Sequence, residues 1–160
     1  MSIVEKGKIY PEERAINEMS LKIRSIAANE AFVRNSVCAF ISALDPKISE
    51  LEDVKTAVSE AFTNCVVHGY EGSNDGEIEV ITSLFENYAR IVIKDHGKGI
   101  LDLSKAVEPF FTSRPDQDRS GLGFTIMETF MNGLKVNSDN NGTTVTLYKQ
   151  FDRQDIDGEC

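Results

Sequence analysis

Two runs constrain the fold more than any other part of the chain: EIEVITSL, from Glu77, and YARIVIKD, ending at Asp95. Each has the length and β-branched content of a strand, and they are joined near Glu86-Asn87, so they predict a β-hairpin and with it an antiparallel sheet. Alternation in the second run places Arg90 and Lys94 on one face and Ile91, Ile93 and Asp95 on the other. A carboxylate on the apolar face needs a partner, because a buried unpaired charge is costly.

The remaining elements fit around that sheet. MSLKIR alternates Met19, Leu21 and Ile23 as a strand does. Asn29 is in place to cap a helix whose apolar face is Val33, Val37, Phe40, Ile41 and Leu44, ended by Asp45-Pro46. A second helix follows, with Ser49 and Glu52 as a capping box, Leu51, Val54, Val58, Ala61, Phe62 and Cys65 as its core face, and Gly69 as its stop. After the hairpin come an irregular stretch with a short helix around Leu103 to Val107, a glycine-opened helix in GLGFTIMETFMNG, and a last hairpin turning at DNNG. The order strand, two helices, hairpin, loop, helix, hairpin predicts an α+β fold, a two-layer α/β sandwich with a mostly antiparallel sheet and its helices on one face. The expected organisation is a loose polar extension over residues 1–18, one domain over 19–150 and a polar tail over 151–160.

A chain of 160 residues with 41% hydrophobic residues suffices for one core. Its net charge of -9 argues against direct nucleic-acid or membrane binding through a basic surface. No segment has the length of a membrane span, and Cys38, Cys65 and Cys160 form no CxxC pair, which together give the expectation of a cytoplasmic protein.

Three patterns can carry chemistry. Glu60, Asn64 and His68 recur every four residues, a spacing that drifts only about 40° per step around a helix. Such a column is either a solvated face or a site in which the Asn64 amide oxygen meets a hydrated Mg²⁺ and Glu60 accepts a proton. Asp95, followed by Gly97 and Gly99, is either an ordinary strand-end turn or an acid that reads a ligand donor such as an adenine amino group, with glycines admitting backbone close to a flat ring. In RSGLGFTIMETF, Gly121 and Gly123 lie where a loop enters a helix, a place suited to phosphate, with Arg119 just upstream. No Walker motif is present.

Taken in order, Glu60-x-x-x-Asn64, Asp95-x-Gly97-x-Gly99, Gly121-x-Gly123 and Gly142-Thr143 resemble the Bergerat-type ATP-binding fold shared by gyrase, Hsp90, histidine kinases and MutL. LDPKISELEDVKTAVSEAFTNCVVHGYE, DHGKGI, PFFTSRPDQDRSGLGFTIME and GTTVTL look more specifically like the anti-sigma F factor family (stage II sporulation protein AB) of spore-forming bacteria, over roughly residues 19 to 150. That resemblance implies a protein serine kinase that holds ATP or ADP with Mg²⁺, phosphorylates an anti-anti-sigma protein, binds a sporulation sigma factor and forms a homodimer. It implies Glu60 as general base, Asn64 as Mg²⁺ ligand and Asp95 as the adenine-reading acid backed by Gly97 and Gly99. Ser120, Gly121, Leu122 and Gly123 then form the phosphate loop, Arg119 the γ-phosphate contact, Thr143 an adenine-side contact and Arg34 the partner-binding arginine, while His68 stays structural. His96 and Lys98 depart from the pattern by placing positive or titratable groups beside the nucleotide. Alternatives within the resemblance are a nucleotide-gated sigma-binding module with little kinase activity, a stress-response anti-sigma kinase, and a histidine-kinase catalytic domain, for whose phosphoaccepting helical hairpin the chain leaves no room.

Overall fold

The computed structural model describes residues 1–109 and 122–152. Six strands form one sheet: β1 (Ser2–Gly7), β2 (Asn17–Arg24), β3 (Glu77–Leu84), β4 (Tyr88–Asp95), β5 (Gly133–Asp139) and β6 (Gly142–Gln150), in the order β1-β5-β6-β4-β3-β2. Every neighbouring pair is antiparallel. α1 (Glu30–Ile41) and α2 (Ile48–Asn64) fill the connection from β2 to β3, while α3 (Leu103–Ala106) and α4 (Gly123–Phe130) lie between β4 and β5. The expected α+β sandwich is what the chain forms.

The core is the layer between sheet and helices. Ile91 and Ile93 of β4, Val136 of β5 and Leu147 of β6 meet Val54, Val58 and Phe62 of α2, all with essentially no exposed surface. The alternation along β4 holds, with Asp95 only 3% exposed on the core side.

Four local expectations are corrected. Ser49 is not the cap of α2; Lys47 is, and the Glu50 carboxylate accepts its N–H at 2.8 Å. Glu50 also accepts the N–H of Asp152, so an acid that serves two backbone donors is buried where Glu52 is solvated. Asn29 precedes α1 but makes no capping bond; its amide donates instead to the Arg24 carbonyl. Gly133 does not close α4, which ends at Phe130; it begins β5, where an added Cβ would lie 1.8 Å from the Lys8 carbonyl oxygen.

The extension over 1–18 is not loose. Ser2–Gly7 is an edge strand on β5, and Ile9, Tyr10 and Ala15 pack on Phe85, Tyr88 and Tyr148, on the sheet face opposite the helices. Only Val4 and Lys6 of β1 turn partly inward, so the strand carries almost no hydrophobic alternation by which to recognise it. At the other end Phe151, assigned to the polar tail, is buried in the core.

Candidate nucleotide site

α2 does not simply stop at Gly69. It passes into a π-helical turn, Cys65–Gly69, closed by the Tyr70 N–H donating to the Cys65 carbonyl at 2.9 Å. Such a wide turn re-aims the chain at a helix end, and here it carries Gly69 onto the end of β4. The Gly69 carbonyl accepts the Lys98 N–H at 3.1 Å, and a Cβ on Gly69 would lie 2.9 Å from Asp95 Oδ2. Across the same contact, a Cβ on Gly97 would come within 2.0 Å of the Gly69 carbonyl oxygen. The two glycines therefore exist as a pair of backbones in direct contact beside the buried acid.

Asp95 is well held. Its Oδ1 accepts the N–H groups of Gly97 at 2.9 Å and Thr143 at 3.2 Å, and the Cys65 thiol donates to the same carboxylate. Burial pushes the Asp95 carboxyl above its ordinary value, and these three donors and His96 only partly offset that. The Cys65 thiol is raised well above the usual range, first by burial and then by the Asp95 charge, which leaves it a neutral donor at neutral pH.

A cavity of about 780 Å³ opens in front of Asp95. Asn64, Cys65, His68 and Gly69 form its α2 side, Asp95, Lys98 and Gly99 its β4 side, and Gly123 and Phe124 the α4 side. Ser138 and Thr143 line it from the last hairpin. Ser138 Oγ accepts the Ile100 N–H at 2.8 Å and lies 2.9 Å from Thr143 Oγ1, tying the glycine-rich loop to β5 and β6. Gly99 takes φ +79 in that loop, a conformation that side chains resist.

Gly123, the first residue of α4, packs against the column on α2. A Cβ there would lie 3.3 Å from both Asn64 Oδ1 and Glu60 Oε2. Leu122 caps the helix start, its carbonyl accepting the Ile126 N–H. The sequence motifs on α2, β4, α4 and β6 thus converge on one cavity. Arg119, Ser120 and Gly121 lie outside the described residues. Arg34 stands apart on α1, half-buried, with Nη1 2.6 and 2.7 Å from the two oxygens of Glu30, which also accepts from Ser59 Oγ. Among the described residues no cluster of three His, Cys, Asp or Glu could hold a metal.

Several residues that line the cavity have no part in it on sequence grounds. His68, structural in the resemblance, lines the cavity. Ser138 shares the core-facing parity of Leu134 and Val136, a polar residue on an apolar stripe and so a legible signal. In the sequence Gly69 marks only a helix stop, and Cys65 only a core thiol.

The Histidine kinase-like ATPase domain family matches residues 23–149. Anti-sigma F factors of Clostridium botulinum (strain Eklund 17B / Type B) and Bacillus licheniformis are 53% and 44% identical over 136 and 138 residues, spanning 84% and 86% of this chain and 95% and 94% of theirs. Among solved structures, the RsbU and RsbW domains of Rv1364c from Mycobacterium tuberculosis align with a TM-score of 0.64 at 20% identity, over 86% of this chain and 33% of that one. The catalytic domain of histidine kinase ThkA aligns with a TM-score of 0.52 at 13% identity, over 85% and 99%. These two likenesses speak for the fold, and the family is one of nucleotide-binding domains. The chain belongs to the histidine kinase-like ATPase domains and, within them, to the anti-sigma F factors.

Proposed function

We propose that the chain is an ATP- and Mg²⁺-dependent protein serine kinase that phosphorylates an anti-anti-sigma protein and, in its nucleotide-bound form, holds a sporulation sigma factor. The observation that carries this reading is the packing of Gly123 on Glu60 and Asn64 beside a cavity into which Asp95 is built. A buried acid and a helix start suited to phosphate face one space from two sides, and Glu60 and Asn64 stand against that helix start, which supports an acid that reads adenine and a helix end that takes the phosphates.

Within this reading each side chain has a defined task. Asp95 accepts from the adenine amino group, with Thr143 behind it. Asn64 offers one neutral oxygen to Mg²⁺, which suits an ion held mainly by phosphate and water rather than by a protein cage. The metal supplies charge neutralisation along the phosphates. Glu60 takes the proton of the attacking serine hydroxyl as its oxygen bonds to the γ-phosphorus and the bond to the ADP oxygen breaks. Arg119 and the N–H groups of Ser120, Gly121, Leu122 and Gly123 steady the charge on the transferred group, so catalysis rests on positioning and electrostatics. Arg34 meets the protein partners, whose acids would compete with Glu30 for it. In the proposed homodimer β2, the edge strand of the sheet opposite β1, with an exposed outer face, is the candidate surface.

The test is transfer of γ-labelled phosphate from ATP, with Mg²⁺, to a serine of the anti-anti-sigma protein. Wild type transfers label, and Glu60→Gln, still binding ATP, transfers about 10²- to 10⁴-fold more slowly. ATP binding without any transfer by wild type would leave a nucleotide-gated sigma-binding module in place of a kinase.

A further inference from the structure

The first 16 residues lie ahead of the segment matched by the family, which begins at residue 23, and the nucleotide chemistry above makes no use of them. They are nevertheless built onto the domain along their length. β1 pairs with β5 from Ser2 opposite Ser138 to Gly7 opposite Gly133. The chain then crosses beneath the sheet, with the Lys8 N–H donating to the Asn132 carbonyl at 2.7 Å. Tyr10 stacks on Tyr88 with ring centroids 4.0 Å apart, lies 5.4 Å from Tyr148, and donates its hydroxyl to Gln150 at 2.7 Å. Glu12 pairs with Arg90 at 3.3 Å, and Glu13 accepts the Tyr88 hydroxyl at 3.0 Å.

The two ends of this segment differ. The aromatic clamp holds a half-buried Tyr10 on the buried rings of Phe85, Tyr88 and Tyr148, whereas β1 is an edge strand with mostly exposed side chains, the kind of element that opens locally at low cost. The open end is also the end at the cavity: Met1 and Ser2 line the same 780 Å³ space as Asp95 and Asn64. Ser2 sits opposite Ser138, whose hydroxyl touches that of Thr143, whose N–H in turn holds Asp95.

We propose that residues 1–16 form an intramolecular strap whose tip, Met1 and Ser2, completes one wall of the nucleotide cavity, so that nucleotide binding and docking of the strap favour each other. The inference rests on the nucleotide reading of that cavity. A ligand in the cavity meets a wall that exists only while β1 is paired, so it binds the docked state better. By linkage the docked strap must then raise nucleotide affinity by the same factor. Tyr10 acts as a positioning residue, holding the strap down from the far side of the sheet without approaching the ligand.

The experiment is hydrogen exchange of the β1 amides in the full chain with and without saturating ATP, together with ATP titration of wild type and Tyr10→Ala. ATP is expected to slow exchange from Val4 to Lys6, and Tyr10→Ala to weaken ATP binding by about fivefold, the lower end of ordinary coupling factors. Unchanged β1 exchange in a chain that demonstrably binds ATP, or equal affinity in wild type and Tyr10→Ala, would overturn the strap while leaving the nucleotide site standing. Failure of wild type to bind ATP at all would remove both, and the titration tells the cases apart.

Discussion

Asp95 is held in a conflict that nucleotide would resolve. Its folded value is raised by burial, so its contribution to the stability of the free protein is full below the ordinary value of 3.8 and is lost as pH rises through the raised value. Nucleotide affinity runs the other way, because an amino donor prefers the carboxylate. ATP binding should therefore weaken as pH falls through the raised value of Asp95, while the free protein gains stability. Titrations and melting curves across that range check it, and an affinity independent of pH would count against Asp95 as the adenine contact. Asp95 was legible because the strict alternation of Ile91, Ile93 and Asp95 fixes its face. Gly69 was not, because only the π-turn brings its backbone to Gly97, and nothing in VVHGY marks that turn in place of an ordinary helix end.

At the scale of elements, one buried cation links three of them. Lys149 of β6 donates to the Phe130 carbonyl at the end of α4 at 2.7 Å and pairs with Asp53 of α2 at 3.0 Å. At 9% exposure it shares the core-facing parity of Leu147. Truncation would leave a helix-end carbonyl and a carboxylate without their donor. Lys149→Ala should lower unfolding stability by about 2 kcal/mol, less than a fully buried pair because Asp53 is a third exposed. Urea denaturation measures it, and a change under about 0.5 kcal/mol would show that water substitutes freely for the amine. The elements themselves could be read from periodicity, since α2 and the β3-β4 hairpin bury clean apolar stripes. Their ends could not. Glu50 rather than Glu52 caps α2 because the chain returns at Asp152 to share it, a contact a hundred residues away in sequence.

For the whole molecule, the sheet order β1-β5-β6-β4-β3-β2 sets the ends of β4, β5 and β6 around the glycine-rich loop and turns α2 and α4 toward the same space. Motifs separated by tens of residues become the walls of one cavity, and their order along the chain carries the resemblance by which the family was legible. The strap was invisible to the same method, because its stability comes from aromatic and ionic contacts to strands more than seventy residues away and not from a pattern of its own. All of these assignments depend on one claim, that the cavity in front of Asp95 is the ATP site. The most direct test is ATP titration of wild type against Asp95→Asn, with circular dichroism to confirm the fold. An Asn side chain can still accept from Gly97 and Thr143 through its oxygen, but it turns an amide donor toward the adenine amino group. A folded variant is expected whose ATP affinity drops by at least about a hundredfold, the loss that follows when a site built to pair a buried donor is left mismatched. A folded Asp95→Asn chain that binds ATP as wild type does would place the nucleotide elsewhere and contradict that claim.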